Sequence, residues 1–245
     1  MCEAATDRFV RWKGWIDVPE PAISPAGGPW IDLSHRLTED LAAIPTYPRP
    51  SFSKWRQMPD YVANITRMNM VVHHGTHLDA PNHFIIDGPS FDQVPLSRLY
   101  GPGVVWSFDV PEYGLIDVPD LERARPQVQP GDIVLFDTGW ASRVEDPSYG
   151  RHASLTPAAA RWLVGQRVKM IGVDFATPDL APSNRPAEGF NWPVHHTLLP
   201  HGILIAEHVN NLPALSGHRI EAMFAGLSII ESDGAPVRAL ARVVD

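Results

Sequence analysis

Val72-His73-His74-Gly75-Thr76-His77-Leu78-Asp79-Ala80-Pro81-Asn82-His83-Phe84 concentrates more chemistry than any other stretch of this chain. Imidazoles stand at 73, 77 and 83, a carboxylate at 79, and a further histidine at 74. Imidazole with carboxylate is a donor set for zinc, manganese and iron. Donor atoms on one ion sit only about 3 Å apart, given bonds of roughly 2.0–2.2 Å. A flat strand would hold the backbones at 73 and 77 roughly 13 Å apart. A helix would stack i and i+4 on one face, but Gly75 and Thr76 are poor helix formers and Pro81 would end it. A bend remains, and Gly75 permits the backbone angles it needs. The expectation is a strand ending near Val72 that breaks into a loop carrying His73, His77 and Asp79 as ligands. His83, four residues beyond the aspartate, is better placed as an acid/base beside the ion. A lone histidine is usually a hydrogen-bonded structural residue, but this density reads as a metal site.

Working outward, 245 residues at 44% hydrophobic suit one globular domain with a sizeable core. The formal charge of −8, without a long basic run, argues against nucleic acid and anionic membrane as partners. Cys2 is the sole cysteine, which excludes an internal disulfide and a cysteine-built zinc finger. That fits a reducing compartment. No apolar run approaches the roughly 18 residues of a membrane span, and Met1 to Arg11 lacks the apolar core of a signal peptide. The expected address is the cytoplasm. Twenty-five prolines, about twice ordinary usage, favour many ordered loops over long helices.

Residues 1–29 read as an N-terminal arm, whose Trp12 and Trp15 pack either on a neighbouring molecule or into the core. Residues 30–245 read as a single domain. Trp30 to Ser34 has strand alternation. Residues 51–68 suggest a hairpin or lid in which Phe52, Trp55 and Tyr61 could add pocket wall. Leu96 to Tyr100 and Pro119 to Arg125 suggest short helices. Gly103 to Val110, Gly131 to Trp140 and Lys169 to Phe175 read as strands. A helix opens at Thr156-Pro157, where the threonine can cap and the proline suits the first position. Asp174 could orient a ligand histidine or cap a turn. Pro178 to Trp192 is long enough to be a functional loop over the site, with Phe190 and Trp192 near its end. Pro193 to Val209 reads as a short helix, a glycine turn and a strand. Glu207 is odd in that apolar strand, because a buried carboxylate must be paired or bind a cation. Arg219 to Ile230 and Pro236 to Val243 read as closing strands around a turn at 232–235. His35, His152 and His218 have no such context and read as surface or structural.

The pattern His73-x-Gly75-Thr76-His77-x-Asp79-x-Pro81-x-His83 resembles the signature of the metal-dependent cyclase/hydrolase family, which includes bacterial kynurenine formamidases, isatin hydrolases and relatives called polyketide cyclases. The resemblance implies an α/β fold of the swivelling β/β/α type, a central mixed, barrel-like sheet with flanking helices, assembled as a dimer or tetramer of identical chains. It also implies that a histidine before a turn and a glutamate twelve residues later complete a dinuclear site. His195 and Glu207 match in type and spacing, with His196 adjacent. Tyr47 matches an aromatic between prolines that lines the substrate pocket in the kynurenine formamidases. Arg49-Pro50 departs from the Gly-Asp that those enzymes tend to carry, which leaves the substrate open.

These readings lead to a metal-dependent hydrolase of an amide, cyclic amide or ester bond in a small aromatic substrate. His73, His77 and Asp79 would hold one ion, zinc or manganese. Asp79 and Glu207 would bridge to a second, held also by His195. His83 would serve as general acid/base, and Tyr47, Phe190 and Trp192 would line the pocket. The rival expectations are a metal-dependent cyclase or lyase acting on a polyketide-like carbonyl compound, where the ion stabilises an enolate, and a non-catalytic metal-binding protein.

Overall fold

The computed structural model describes residues 11–19, 27–42 and 46–244. In chain order the strands are β1 (Ile31–Asp32), β2 (Ser51–Arg56), β3 (Ile65–Asn69), β4 (His77–Asp79), β5 (Tyr100–Ser107), β6 (Leu115–Ile116), β7 (Ile133–Asp137), β8 (Ser154–Leu155), β9 (Met170–Val173), β10 (Leu204–Glu207), β11 (Arg219–Gly226) and β12 (Gly234–Val243). The helices are α1 (Val118–Arg123), α2 (Pro157–Gly165) and α3 (Pro193–Leu198).

The order β12-β11-β5-β7-β9-β10-β4 closes back on β12, giving a seven-stranded barrel. β1 lies along the far end of β12, pairing Ile31 with Ala241. β5, β7, β9 and β10 run parallel and the other pairings are antiparallel, so the sheet is mixed. This is the mixed, barrel-like α/β architecture that the family resemblance implied.

Side chains alternate across a strand with period two, and the barrel wall divides two cores on that basis. Ile133 and Leu135 of β7 join Val105, Met170, Leu204, Ala206, Ile220, Ala222 and Phe224 in one cluster. Val134 and Phe136 join Trp106, Ile171, Ile205 and the α2 residues Ala159, Ala160 and Leu163 in the other. α2 starts as its sequence dictates: the Thr156 side chain accepts from the Ala159 N–H, and Pro157 takes the first position.

β4 settles where the chemistry stands. Its register sets Leu78 opposite Ala206, His77 opposite Glu207 and Asp79 opposite Ile205. Leu78 and Ala206 belong to the first cluster, so His77, Asp79 and Glu207 emerge on the other face. The strand expected to end near Val72 ends at Asn69 and belongs to the separate β2–β3 hairpin. A bend over 70–76 follows, with Gly75 at φ +67° as the expected turning point. His77 and Asp79 then lie on a strand, not on a loop. Three residues suffice because β4 pairs with β10 and with β12.

Of the arm, residues 11–19 pack on the chain's own domain. Lys13 and Ile16 donate backbone hydrogen bonds to the carbonyls of Pro200 and His201. Trp12 and Trp15 meet edge-to-face at 5.2 Å, and Arg98 lies 5.2 Å from the Trp15 ring. Residues 1–10, 20–26 and 43–45 lie outside the described residues, so the arm's first part does too. No helix among the described residues is long and apolar enough to cross a membrane.

Candidate metal centre

Four donor groups converge where β4 meets β10. His77 Nε2 lies 3.4 Å from Asp79 Oδ1 and 3.4 Å from Glu207 Oε2. His195 Nε2 lies 3.3 Å from Asp79 Oδ2 and 3.5 Å from Glu207 Oε1. The other nitrogen of each ring is engaged: His77 Nδ1 with the Gly75 carbonyl at 2.8 Å, His195 Nδ1 with Asp179 Oδ2 at 2.5 Å. All four residues are buried. If the Nδ1 atoms carry the ring protons, both Nε2 lone pairs face carboxylate oxygens. That juxtaposition is repulsive unless a positive charge sits between. His77 Nε2 and Asp79 Oδ2 have no hydrogen-bond partner in the structure although both are buried. Buried polar atoms are nearly always satisfied, and a cation held among these donors would satisfy both of these atoms at once. Asp79, His195 and Glu207 offer donor atoms within 4.8 Å of one another, as a divalent ion requires.

A second group shares Asp79. His73 Nδ1 lies 2.8 Å from Asp79 Oδ1, and His73 Nε2 lies 2.8 Å from Asp233 Oδ2. His83 stacks on His73 with ring centroids 4.0 Å apart, and its Nδ1 lies 3.4 Å from Asp233 Oδ2. His73, Asp79 and His83 form a further possible donor set, so the geometry leaves His83 room either to ligate or to move protons. Gly234 keeps this corner open. A Cβ there would meet the Leu78 carbonyl at 2.6 Å and His73 Cε1 at 2.8 Å.

The electrostatics ask for positive charge. Burial opposes protonation of His77, yet Asp79 and Glu207 push its pKa up to about 10. Burial likewise opposes a charged His195, and Asp179, Asp79 and Glu207 push it well up. Burial and the Asp79 charge raise Glu207, but bonds from His195 and His77 bring it down to about 2. A cation bound among the carboxylates would supply the charge that protons otherwise bring.

Asp179 fills the role that the sequence suggested for Asp174. It grips His195 Nδ1 and accepts from the Val194 and His195 N–H groups at 2.9 and 3.1 Å. Those are first-turn donors of α3, whose own flanking residue gives no side-chain cap. One buried carboxylate thus starts the helix and aims the imidazole. Asp174 instead caps the turn after β7, accepting from Thr138 N, Thr138 Oγ1 and Trp140 N.

His196, the neighbour of His195, bonds the Asn191 carbonyl and is not part of the cluster. His74 reaches the Thr38 carbonyl at 3.4 Å. His152 is buried against Phe175 at 5.0 Å and is structural. Three residues not singled out from sequence belong to the centre. Asp233 sits in the turn before β12, where the chain offered only a turn signal. Asp179 lies in a proline-rich loop. His208 follows Glu207 at φ 55° and bonds the Tyr149 hydroxyl at 2.8 Å. Its position beside an inward glutamate was the one available clue.

A cavity of about 530 Å³ opens onto the centre, lined by Thr46, Tyr47, His73, His83, Phe84, Thr177, Pro182, Arg185, Trp192, His195 and Glu207. Tyr47 and Trp192 stand in its wall. Phe190 does not; it packs behind Trp192 at 5.1 Å. Trp192 holds a left-handed backbone (φ 47°, ψ 64°) just before Pro193, a strained state for a bulky residue that persists only where its surroundings fix it. Phe84, 4.5 Å from the His195 ring and 5.9 Å from Trp192, joins this aromatic side to the ligands. Phe52, Trp55 and Tyr61 do not line the cavity. Trp55 and Tyr61 are 58% and 50% exposed on the hairpin.

The model of the family described as "Putative cyclase" matches residues 31–180. A kynurenine formamidase of Geobacillus thermodenitrificans is 29% identical over 221 residues, covering 87% of this chain and 97% of that protein. The structure of isatin hydrolase A from Labrenzia aggregata, bound to benzyl benzoate, superposes with a TM-score of 0.79 at 23% identity, covering 89% of this chain and 94% of that one. A structure titled as a potential metal-dependent hydrolase with cyclase activity gives 0.72 at 24% identity, covering 89% and 98%.

Proposed function

The chain belongs to the cyclase family matched over residues 31–180, and from its centre we propose that it is a metal-dependent hydrolase cleaving the C–N bond of a small aromatic amide or cyclic amide, or an ester analogue. The carrying observation is the convergence of His77, Asp79, His195 and Glu207, with buried orphan donors, at the end of an aromatic-walled cavity. The names of the kynurenine formamidase and isatin hydrolase relatives agree with that bond type.

His77, Asp79, His195 and Glu207 would hold one divalent ion, and His73 with Asp79 a second; zinc and manganese both suit such donors. When bound, the ion supplies a Lewis acid that brings the pKa of water toward about 7 and polarises a carbonyl. The chain's own residues do the rest. His83, stacked on His73 and 3.4 Å from Asp233, takes a proton from the attacking water and returns it to the leaving nitrogen. Asp233 fixes the ring for both transfers. Burial, and then the charges of Glu207, Asp79 and Asp233, raise the Tyr47 pKa, so the phenol stays protonated as a donor to the substrate carbonyl. Phe84 and Trp192 present flat faces to an aryl group and keep water out.

Incubation of zinc- or manganese-loaded protein with aryl formamides, isatin-like cyclic amides and lactones in oxygen-18 water tests this. Label in the carboxyl product supports hydrolysis. A product formed without label supports the cyclase or lyase reading, and no turnover of any substrate would refute both.

A further inference from the structure

Residues 182–189 run along the surface; Pro182 and Arg185 reach the cavity, and Arg185 alone among them is half-buried. Pro182, Ser183 and Asn184 are exposed before it, and Pro186 to Gly189 after it. Its guanidinium lies 4.9 Å from the Phe190 ring centroid and 5.4 Å from that of Trp192. Its Nε donates to the Leu180 carbonyl at 2.8 Å. These contacts fix the side chain at the cavity wall without using its two terminal amino groups. Among the described residues, no carboxylate stands at ion-pair distance from Arg185, and no other arginine or lysine lines the cavity.

A charge taken partly out of water is costly unless it is paired. A guanidinium held flat on aromatic rings is a pre-set fork that matches a carboxylate with two parallel N–H···O bonds. Of the carboxylates of the centre, Glu207 lines the same cavity. Among the described residues, Arg185 is the one fixed cationic side chain that the wall offers to an anionic group of the substrate.

Resting on the hydrolase reading above, we infer that Arg185 binds a carboxylate carried by the substrate, so that the preferred substrate is an anionic aryl amide oriented with its acid group toward Arg185 and its scissile bond toward His83. The indole of Trp192, 5.4 Å from the guanidinium and 5.9 Å from the Phe84 ring, offers a face on which the aryl ring can stack. Arg185 is then a specificity residue; it takes no part in bond cleavage.

The test compares formanilide with its ortho and para carboxylate derivatives on metal-loaded wild-type, Arg185→Lys and Arg185→Met proteins. Wild type is expected to favour a carboxylate derivative. In Arg185→Met the ratio of kcat/KM for the acid over the neutral amide falls ~10–100-fold, as loss of charged hydrogen bonds dictates. The loss falls on KM, and Arg185→Lys retains part of the preference. An equal fall for acid and neutral amides, or no wild-type preference for the acid, would reduce Arg185 to a clip that holds the loop and overturn the inference. Calorimetric titration with the same carboxylate amides measures binding independently of turnover. A dissociation constant at least tenfold weaker in Arg185→Met supports carboxylate binding, and equal constants refute it. Binding that discriminates without any turnover would refute the hydrolase reading instead.

Discussion

Replacing Asp179 by asparagine probes the centre at a residue that touches neither substrate nor ion. Asp179 Oδ2 holds His195 Nδ1 at 2.5 Å and His195 N at 3.1 Å, while Oδ1 holds Val194 N at 2.9 Å. Asparagine keeps the shape but has one acceptor oxygen. If that oxygen faces Val194, the amide nitrogen confronts His195; if it faces His195, it confronts Val194. Either way a charged acceptor is lost from a buried imidazole, and such bonds contribute about 1.5–3 kcal/mol. The ring is then less basic and less firmly aimed at Asp79 and Glu207. Removing a carboxylate of this kind lowers metal affinity ~10–100-fold, or about 1.4–2.7 kcal/mol. Zinc competition against a chromophoric chelator reads that directly. Melting with and without zinc reads it again through linkage. Each tenfold loss of affinity removes about 1.4 kcal/mol of metal-dependent stabilisation, a shift of about 3–6 °C for a chain of this size. Zinc affinity within threefold of wild type would refute the role assigned to Asp179.

His83→Ala is expected to retain metal while losing ~100- to 10,000-fold in turnover, whereas His77→Ala and Asp79→Ala lose the metal as well. Metal analysis beside initial rates checks this, and equal metal loss in all three would make His83 a ligand. Gly234→Ala drives a methyl group against the Leu78 carbonyl and the His73 ring. It should cost about 1–3 kcal/mol, measured by denaturant titration, and should weaken metal binding by displacing His73; wild-type stability would contradict the packing. Burial lowers the His152 pKa from 6.5 to about 4, with the Ala153 carbonyl opposing it. The unfolded chain then binds more protons between those values. The stability this residue contributes is fully present above pH 6.5 and is lost as pH falls toward 4, about 3 kcal/mol in all. Melting from pH 7 to 4 should show that slope in metal-free wild type and a shallower one in His152→Gln.

The candidate site was legible because five of its residues lie in two short stretches with unusual chemistry. His73, His77, Asp79 and His83 fall within eleven positions, and Glu207 interrupts an apolar strand. The bend at Gly75 followed from reach, which excluded a flat strand, and from Gly75, Thr76 and Pro81, which excluded a helix. What pairs with what was not legible. β4 is three residues long, too short for periodicity to mark, and its place between β10 and β12 is a long-range choice made by the barrel. Asp179 and Asp233 also escaped notice. Each lies in a turn or loop where aspartate is ordinary; Asp233 meets His73 from 160 residues away, and Asp179 meets His195 16 residues on, across a loop without periodicity. Phe190 and Trp192, two residues apart, illustrate the limit for the pocket. Both are loop aromatics, yet only Trp192 lines the cavity, with Phe190 packed against it at 5.1 Å.

Anomalous scattering from a crystal grown with zinc, recorded above and below the zinc edge, tests the central claim most directly. The account predicts a peak bounded by His77, Asp79, His195 and Glu207, with any second peak beside His73 and Asp79. A crystal saturated with zinc or manganese that showed these side chains in place and no anomalous density among them would contradict it.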